Sequence, residues 1–187
     1  MPKVSTLKDK KKVAVKRKVA AQTLVKKVKR KKVSAIPKGY ANITPYLAIK
    51  DSAANAISFY KKVFGAKELK KMESPAGKIL HAELKIGNAK IMLADEFPEM
   101  DFYSPKNYGG SPVNFYLYMK DVDSIVKIAV KNGAKLIMEV EDMFYGDRCG
   151  SIEDPFGHKW TVATHIEDVT PAKMKKRAAE MFNKKRV

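Results

Sequence analysis

The sequence is short of cysteine, of long apolar runs and, at both ends, of acidic residues, and each shortage excludes something. A single cysteine, Cys149, among 187 residues cannot close an internal disulfide, which excludes a disulfide-stapled scaffold and points to a reducing, cytoplasmic setting. No uncharged apolar stretch approaches the roughly 18–20 residues of a membrane-spanning helix, so a transmembrane protein is not expected. The first 33 residues hold no aromatic residue and no glycine, and interleave valine with lysine. Blocks of like charge cannot bury enough surface to offset chain entropy, so residues 1–38 are expected to form a disordered tail. No unbroken apolar stretch follows the first lysines, as a secretory signal would require. A mitochondrial transit peptide is also basic and nearly acid-free, but favours Arg and Ser where this run is almost all Lys.

What is abundant is positive charge: 38 Lys and Arg against 20 Asp and Glu, a formal net charge of +18. Its placement matters more than its size. Residues 1–38 carry 15 basic residues and one acid, Asp9, and residues 170–187 carry seven and one, Glu180. The stretch 39–169 has 16 basic and 18 acidic residues and is close to neutral. The two ends therefore suit a polyanion such as nucleic acid, where each neutralised phosphate adds salt-dependent affinity, with association to a nucleoid as one consequence. The same composition equally suits a solvated tail, and an anionic membrane surface is a weaker fit because no aromatic anchor accompanies Val15, Val19, Leu24 and Val28.

Between the basic ends the sequence repeats itself. Tyr46-Leu-Ala-Ile-Lys-Asp51 matches Tyr116-Leu-Tyr-Met-Lys-Asp121, and Gly65-Ala-Lys67 matches Gly133-Ala-Lys135. In each copy a β-type run (43–50, 112–120) ends at an aspartate placed to N-cap a helix. Apolar residues then recur at helical spacing: Ala54, Ile57, Phe59, Tyr60, Val63 and Phe64, and again Val122, Ile125, Val126, Ala129 and Val130. Gly65 and Asn132-Gly133 fall where the helices should stop. Three further strands follow in each copy: 67–73, 79–86 and 90–94, then 135–141, 148–153 and 159–164. The expected class is α+β, two tandem βαβββ modules (41–97 and 110–169) forming a curved, cup-shaped sheet within a domain spanning 39–169. Thr170-Pro171 opens a basic C-terminal helix over 170–187.

The wording of the repeat, as well as its pattern, resembles the vicinal-oxygen-chelate superfamily, which holds glyoxalase, bleomycin-resistance and extradiol dioxygenase proteins. The opening strand and helix, Tyr46–Ala66, carry the resemblance. So do Gly109-Gly-Ser-Pro112, Phe144-Tyr-Gly-Asp-Arg148, Asp154-Pro-Phe-Gly-His-Lys-Trp160 and Ala163-Thr-His-Ile-Glu-Asp168, which are similar to its PhnB-like branch. The resemblance covers about residues 41–180. It implies a small molecule held in the cup, a homodimer and, in metal-dependent members, a divalent metal held by four His or Glu ligands that polarises paired substrate oxygens. The corresponding positions here are Thr44, Met92, Asn114 or Phe115, and Thr161. None is His, Glu, Asp or Cys, so the four-ligand metal site is not expected and no cofactor is assigned beyond what the resemblance implies.

Several polar and aromatic residues remain as candidates. His81 and Glu83 share one face of a strand, as an acid/base pair in the cup would, or as a hydrogen-bonded strand end would. Arg148 is either a fixed cation for an anionic substrate or one side of an internal salt bridge with Asp147, Glu153 or Asp154. Trp160, Phe115, Phe144, Tyr145 and Tyr116 either line an apolar cup that stacks a planar ligand or form core. His158, beside a turn glycine, and His165, at a strand end, are expected to be structural. Cys149, on the opposite strand face from Arg148, is expected to be a buried small hydrophobe. No Gly-rich phosphate loop, Cys-x-x-Cys or Ser/His/Asp arrangement is present. Three functions stay open: a small-molecule binding or sequestration protein, a lyase-, isomerase- or dioxygenase-like enzyme using His81 and Glu83 with a non-standard metal or none, and a nucleic-acid-associated protein acting through its basic ends.

Overall fold

The structure, a computed structural model, describes residues 33–184. The expectations for residues 1–32 and 185–187 lie outside the described residues. The compact folded unit begins at Gly39.

The first module runs β1 (Tyr46–Ile49), α1 (Ala53–Phe64), β2 (Lys67–Glu73), β3 (Ile79–Ile86) and β4 (Ala89–Asp95). The second repeats it as β5 (Asn114–Tyr118), α2 (Val122–Lys131), β6 (Lys135–Asp142), β7 (Asp147–Glu153) and β8 (Lys159–His165), and a last helix, α3, spans Pro171–Lys184. Two four-stranded sheets result, ordered β1-β4-β3-β2 and β5-β8-β7-β6. In each, the first strand pairs in parallel with the last and the other neighbours are antiparallel. This is the α+β pair of βαβββ modules that the repeat implied. The opening strands are shorter than the apolar runs that announced them, and β2 is an exposed edge whose lysines discourage pairing with another sheet.

Local chemistry explains the helix ends. Ser52, not Asp51, caps α1, its hydroxyl accepting from Asn55 N at 3.3 Å, while Asp51 turns the chain at φ 75°. In the second copy Asp121 does cap α2, accepting from Ser124 N at 3.1 Å. The α1 carboxylate partner comes from afar: Asp95, at the end of β4, accepts from Ala53 N and Ile79 N, each at 2.6 Å. One side chain thereby ties helix α1, strand β3 and strand β4 together. Gly65 stops α1 in the left-handed region at φ 63°, a conformation that glycine adopts without steric cost.

One face of each sheet packs under the helices, and the two packed faces share a single core. Leu47, Ile49, Leu84 and Leu93 of the first module join Ile152, Trp160 and Val162 of the second. Full burial of one such side chain is worth about 1.5–3 kcal/mol. The junction is aromatic: the Trp160 ring lies 4.9 Å from Phe64, 4.8 Å from Phe115 and 5.6 Å from Tyr60. At its centre Asp154, 3% exposed, accepts four hydrogen bonds. They come from Tyr60 Oη at 2.7 Å, Trp160 Nε1 at 2.9 Å, Phe156 N at 2.9 Å and His158 N at 3.0 Å. Tyr60 belongs to the first module and the rest to the second, so this carboxylate joins the halves. His158 adds a second crossing, its Nε2 lying 3.2 Å from the carbonyl of Ala48.

Asp154→Ala leaves the Tyr60 hydroxyl and the Trp160 indole N–H buried without acceptors. It should cost about 3–5 kcal/mol, against about 1–2 kcal/mol for Tyr60→Phe, which removes only one donor. Denaturant unfolding monitored at Trp160 measures both, and a cost for Asp154→Ala no larger than for Tyr60→Phe would refute the role given to the carboxylate.

Candidate functional site

Alternation along the strands leaves each sheet a second face, turned away from the helices, and polar side chains gather there. On the first sheet they centre on Glu83 of β3, 4% exposed. Its Oε1 accepts from Lys70 Nζ at 3.1 Å and lies 3.4 Å from His81 Nε2, and its Oε2 accepts from the Tyr40 hydroxyl. The other ring nitrogen of His81, Nδ1, lies 3.0 Å from the hydroxyl of Tyr46. The hydrogen bond from Tyr40, helped by Lys70 and His81, outweighs burial and holds the Glu83 carboxyl below the usual range. Glu83 is thus an ionised, fully engaged acceptor, better placed to fix its neighbours than to take a proton from a substrate. His81 and Glu83 are brought together as expected.

The second sheet carries a similar arrangement on different residues. Asp147, at the start of β7 and 4% exposed, accepts from the hydroxyls of Tyr118 at 2.9 Å and Tyr116 at 3.1 Å and lies 2.7 Å from His165 Nδ1. Burial works to raise its pKa, but hydrogen bonds from His165, Tyr118 and Tyr116 prevail and hold it low. His165 is pushed up in return, first by Asp147 and then by Asp168, whose carboxylate lies 3.1 Å from Nε2. Tyr116 and Tyr118 have their rings 5.1 Å apart and stay 45% and 60% exposed. Both phenols are raised: burial leads for Tyr116, the Asp147 hydrogen bond for Tyr118. They remain donors across the physiological range. Neighbouring Cys149 is buried, 3.5 Å from the Tyr145 hydroxyl.

The remaining candidates scatter. Arg148 does not face this surface: its Nε and Nη2 grip Asp123 of α2 at 2.8 and 2.6 Å and its Nη1 donates to Asp142 at 2.8 Å. The salt-bridge alternative holds, with partners other than those named from sequence proximity. Trp160 sits in the shared core, 3% exposed, because it alternates with Thr161, which takes the outer face. Phe115, its partner in the β5–β8 ladder, follows it inward and borders a 190 Å³ cavity. Phe144 borders a separate 580 Å³ cleft against α3, where Arg177 and Lys173 are both paired with Glu167. Of the basic residues of α3, those two are therefore committed within the fold. Only Tyr145 lies beside the polar outer-face cluster. Sequence reasoning misses the Asp147–His165–Tyr118 group itself, although Tyr116 and Tyr118 stand two apart, the spacing that puts both on one face of a strand.

Of the four positions that the resemblance gives to metal ligands, two are engaged with each other. Asn114 donates to Thr161 Oγ1 at 2.7 Å, and Ser151 lies 2.9 Å from the same oxygen. Amide and hydroxyls that satisfy one another, with Thr44 and the Met92 thioether, do not form a donor set for Mg²⁺, Mn²⁺ or Zn²⁺. Among the described residues no three His, Cys, Asp or Glu side chains are grouped to hold a metal ion.

Comparison with known proteins agrees with this architecture. The family described as Glyoxalase/Bleomycin resistance protein/Dioxygenase superfamily matches residues 42–162. An uncharacterised protein of Mycobacterium tuberculosis is 39% identical over 130 residues, 68% of this chain and 76% of its own length. The X-ray structure of an Arabidopsis thaliana gene product, 29% identical, superposes with a TM-score of 0.54 over 66% of this chain and 98% of that one. A PhnB protein from Bacillus cereus shares the fold, with a TM-score of 0.55 at 16% identity over 66% of this chain and 99% of its own. No helix among the described residues is long and apolar enough to cross a membrane.

Two histidines should titrate on opposite sides of the unperturbed value of about 6.5. Burial pushes His158 down, so the unfolded chain takes up that proton first as pH falls. Its contribution to stability is present above about pH 6.5 and lost as pH drops through the lowered folded value. His165 is pushed up by Asp147 and Asp168, so its contribution is present below about pH 6.5 and lost as pH rises through the raised folded value. NMR titration of the imidazole resonances checks this, and His165 titrating below His158 would contradict the assignment.

Proposed function

The chain belongs to the glyoxalase/bleomycin resistance protein/dioxygenase superfamily, and from that premise we propose that it binds a small molecule on the outer faces of its sheets, without a four-ligand metal centre. One observation carries the reading. Tyr116 and Tyr118 keep large aromatic faces open to solvent while Asp147 fixes their hydroxyls. An exposed ring already locked in place loses little freedom when a ligand covers it, so its burial converts efficiently into affinity. The paired rings suit a planar, largely apolar ligand, and Thr161, Ser151 and Asn114 alongside are bonded to one another. The self-satisfied state of those three residues supports binding over metal-assisted chemistry. A homodimer, implied by the resemblance, belongs to the same reading and is checked by solution mass.

A second reading, an enzyme of the same superfamily, has the hydrogen-bonded row Tyr46–His81–Glu83 in its favour. In it Glu83 orients the ring and His81 carries the proton; His81→Ala would then abolish turnover and leave binding at Tyr116 and Tyr118 intact. A polyanion partner would act through the basic ends, and removing residues 1–38 should then abolish retention on DNA together with its salt dependence.

For the binding reading, native mass measurement of the purified chain should reveal a bound small molecule. Titration with the aromatic dye anilinonaphthalene sulfonate should show Tyr116→Ala/Tyr118→Ala weakening binding at least about tenfold, in the range expected for removal of two aromatic contacts. Tyr116→Phe/Tyr118→Phe, which keeps the rings but frees them from Asp147, should weaken it only a few-fold. Unchanged affinity in the alanine variant would sink the reading.

A further inference from the structure

Residues 39–45, just ahead of β1, carry Tyr40 to the outer face of the first sheet, where it is held as a bound ligand would be. Its hydroxyl donates to Glu83 Oε2, and the Lys90 ammonium stands 3.6 Å from its ring centroid. Glu83, with its side chain 6% exposed, is a built acceptor, its other oxygen fixed by Lys70 and His81. The βαβββ repeat does not call for this arrangement: in the second module Asp147 is served by tyrosines of β5 itself. A separate observation concerns the same segment. Ala41, Ile43 and Pro45 wall the 190 Å³ cavity whose other sides include Ile91 and Phe115, and Lys90 borders both places. Neither Tyr40 nor Glu83 lines that cavity; it shows that residues 39–45 rest partly over a void, so fewer packing contacts oppose their lifting.

We propose that the Glu83 seat is a binding site for a hydroxylated aromatic ring, which the chain keeps filled with its own Tyr40 until such a ligand displaces residues 39–45. The proposal rests on the reading that the outer faces take small molecules and names the ligand class for the first sheet. The chemistry selects a phenol. The buried carboxylate needs a hydroxyl donor and repels an anionic ligand, while Lys90 attracts the face of a ring. Because the internal tyrosine competes, the apparent affinity for an added phenol falls by the fraction of chains whose seat is open. Removing the Tyr40 hydroxyl deletes a hydrogen bond to a charged acceptor and should raise that fraction about tenfold or more.

The test is NMR titration of the full chain with p-cresol, and with toluene as the ring lacking a hydroxyl. Tyr40→Phe should bind p-cresol at least about tenfold more tightly than the unaltered chain, and toluene much more weakly than p-cresol. Glu83→Gln should lose the p-cresol preference. In the unaltered chain, saturating p-cresol should speed amide exchange in residues 39–45. Equal p-cresol affinity in Tyr40→Phe and the unaltered chain, or equal affinity for toluene and p-cresol, overturns the proposal. Tyr116→Ala/Tyr118→Ala separates the two readings. If that variant alone loses p-cresol, the second-sheet site stands and the Glu83 seat fails; if it binds p-cresol unchanged while Tyr40→Phe gains, the seat stands alone.

Discussion

The four hydrogen bonds accepted by Asp154 are the constraint on which the rest depends. A βαβββ module buries one sheet face under a single helix, too little apolar area to be stable by itself. Here the two modules share their cores, and Tyr60, Phe64, Phe115 and Trp160 form the seam. Two of these rings carry polar atoms into a region closed off from the surface. A carboxylate that takes both, and two backbone N–H groups as well, turns what would be a desolvation cost into an orientation. Apolar packing holds the modules together without direction; the directional bonds of Asp154 fix how Tyr60 and Trp160 meet across the seam.

Those outer faces are governed by the same device used twice, a nearly buried carboxylate surrounded by donors. Glu83 has Tyr40, Lys70 and His81; Asp147 has Tyr116, Tyr118 and His165. In both cases hydrogen bonding outweighs burial and the carboxyl stays ionised. Such a group has little tendency to accept a proton but a strong capacity to hold phenols and imidazoles in fixed poses. Preorganised rings and donors favour recognition, and the hydroxyl–amide cluster at Asn114, Ser151 and Thr161 extends the same surface.

Much of the fold is legible because the sequence repeats and because each repeat is locally consistent. Apolar spacing, Asp121 as a cap and Gly65 as a stop each report on a few neighbouring residues. Legibility ends where tertiary structure decides. Asp51 and Ser52 are both competent caps, and the choice of Ser52 depends on a turn at Asp51 and on Asp95 arriving from forty residues away. Trp160 reads either as a cup residue or as core, because alternation gives two faces without saying which is covered. Arg148 reads as a salt-bridge candidate, and it is one, but its partners Asp123 and Asp142 come from α2 and β6, which no local rule places beside β7. Asp147 and His165 meet only because β7 and β8 pair in the register that sets them opposite one another.

The repeat also shows how duplicated modules diverge without losing the fold. Tyr46 pairs with Met92 and Tyr116 with Thr161, and the next strand over places Glu83 beside Met92 but Ser151 beside Thr161. At equivalent rungs one module thus has a charged acceptor and the other a hydroxyl, while the second module's acceptor, Asp147, lies further along its strand. Core-facing residues at the intervening positions, Leu47 with Leu93 and Leu117 with Val162, stay apolar in both copies. Strand alternation therefore separates two demands: the inward set must fill a shared core and tolerates little change, whereas the outward set can be rewritten rung by rung. The result is two chemically different surfaces on one repeated scaffold.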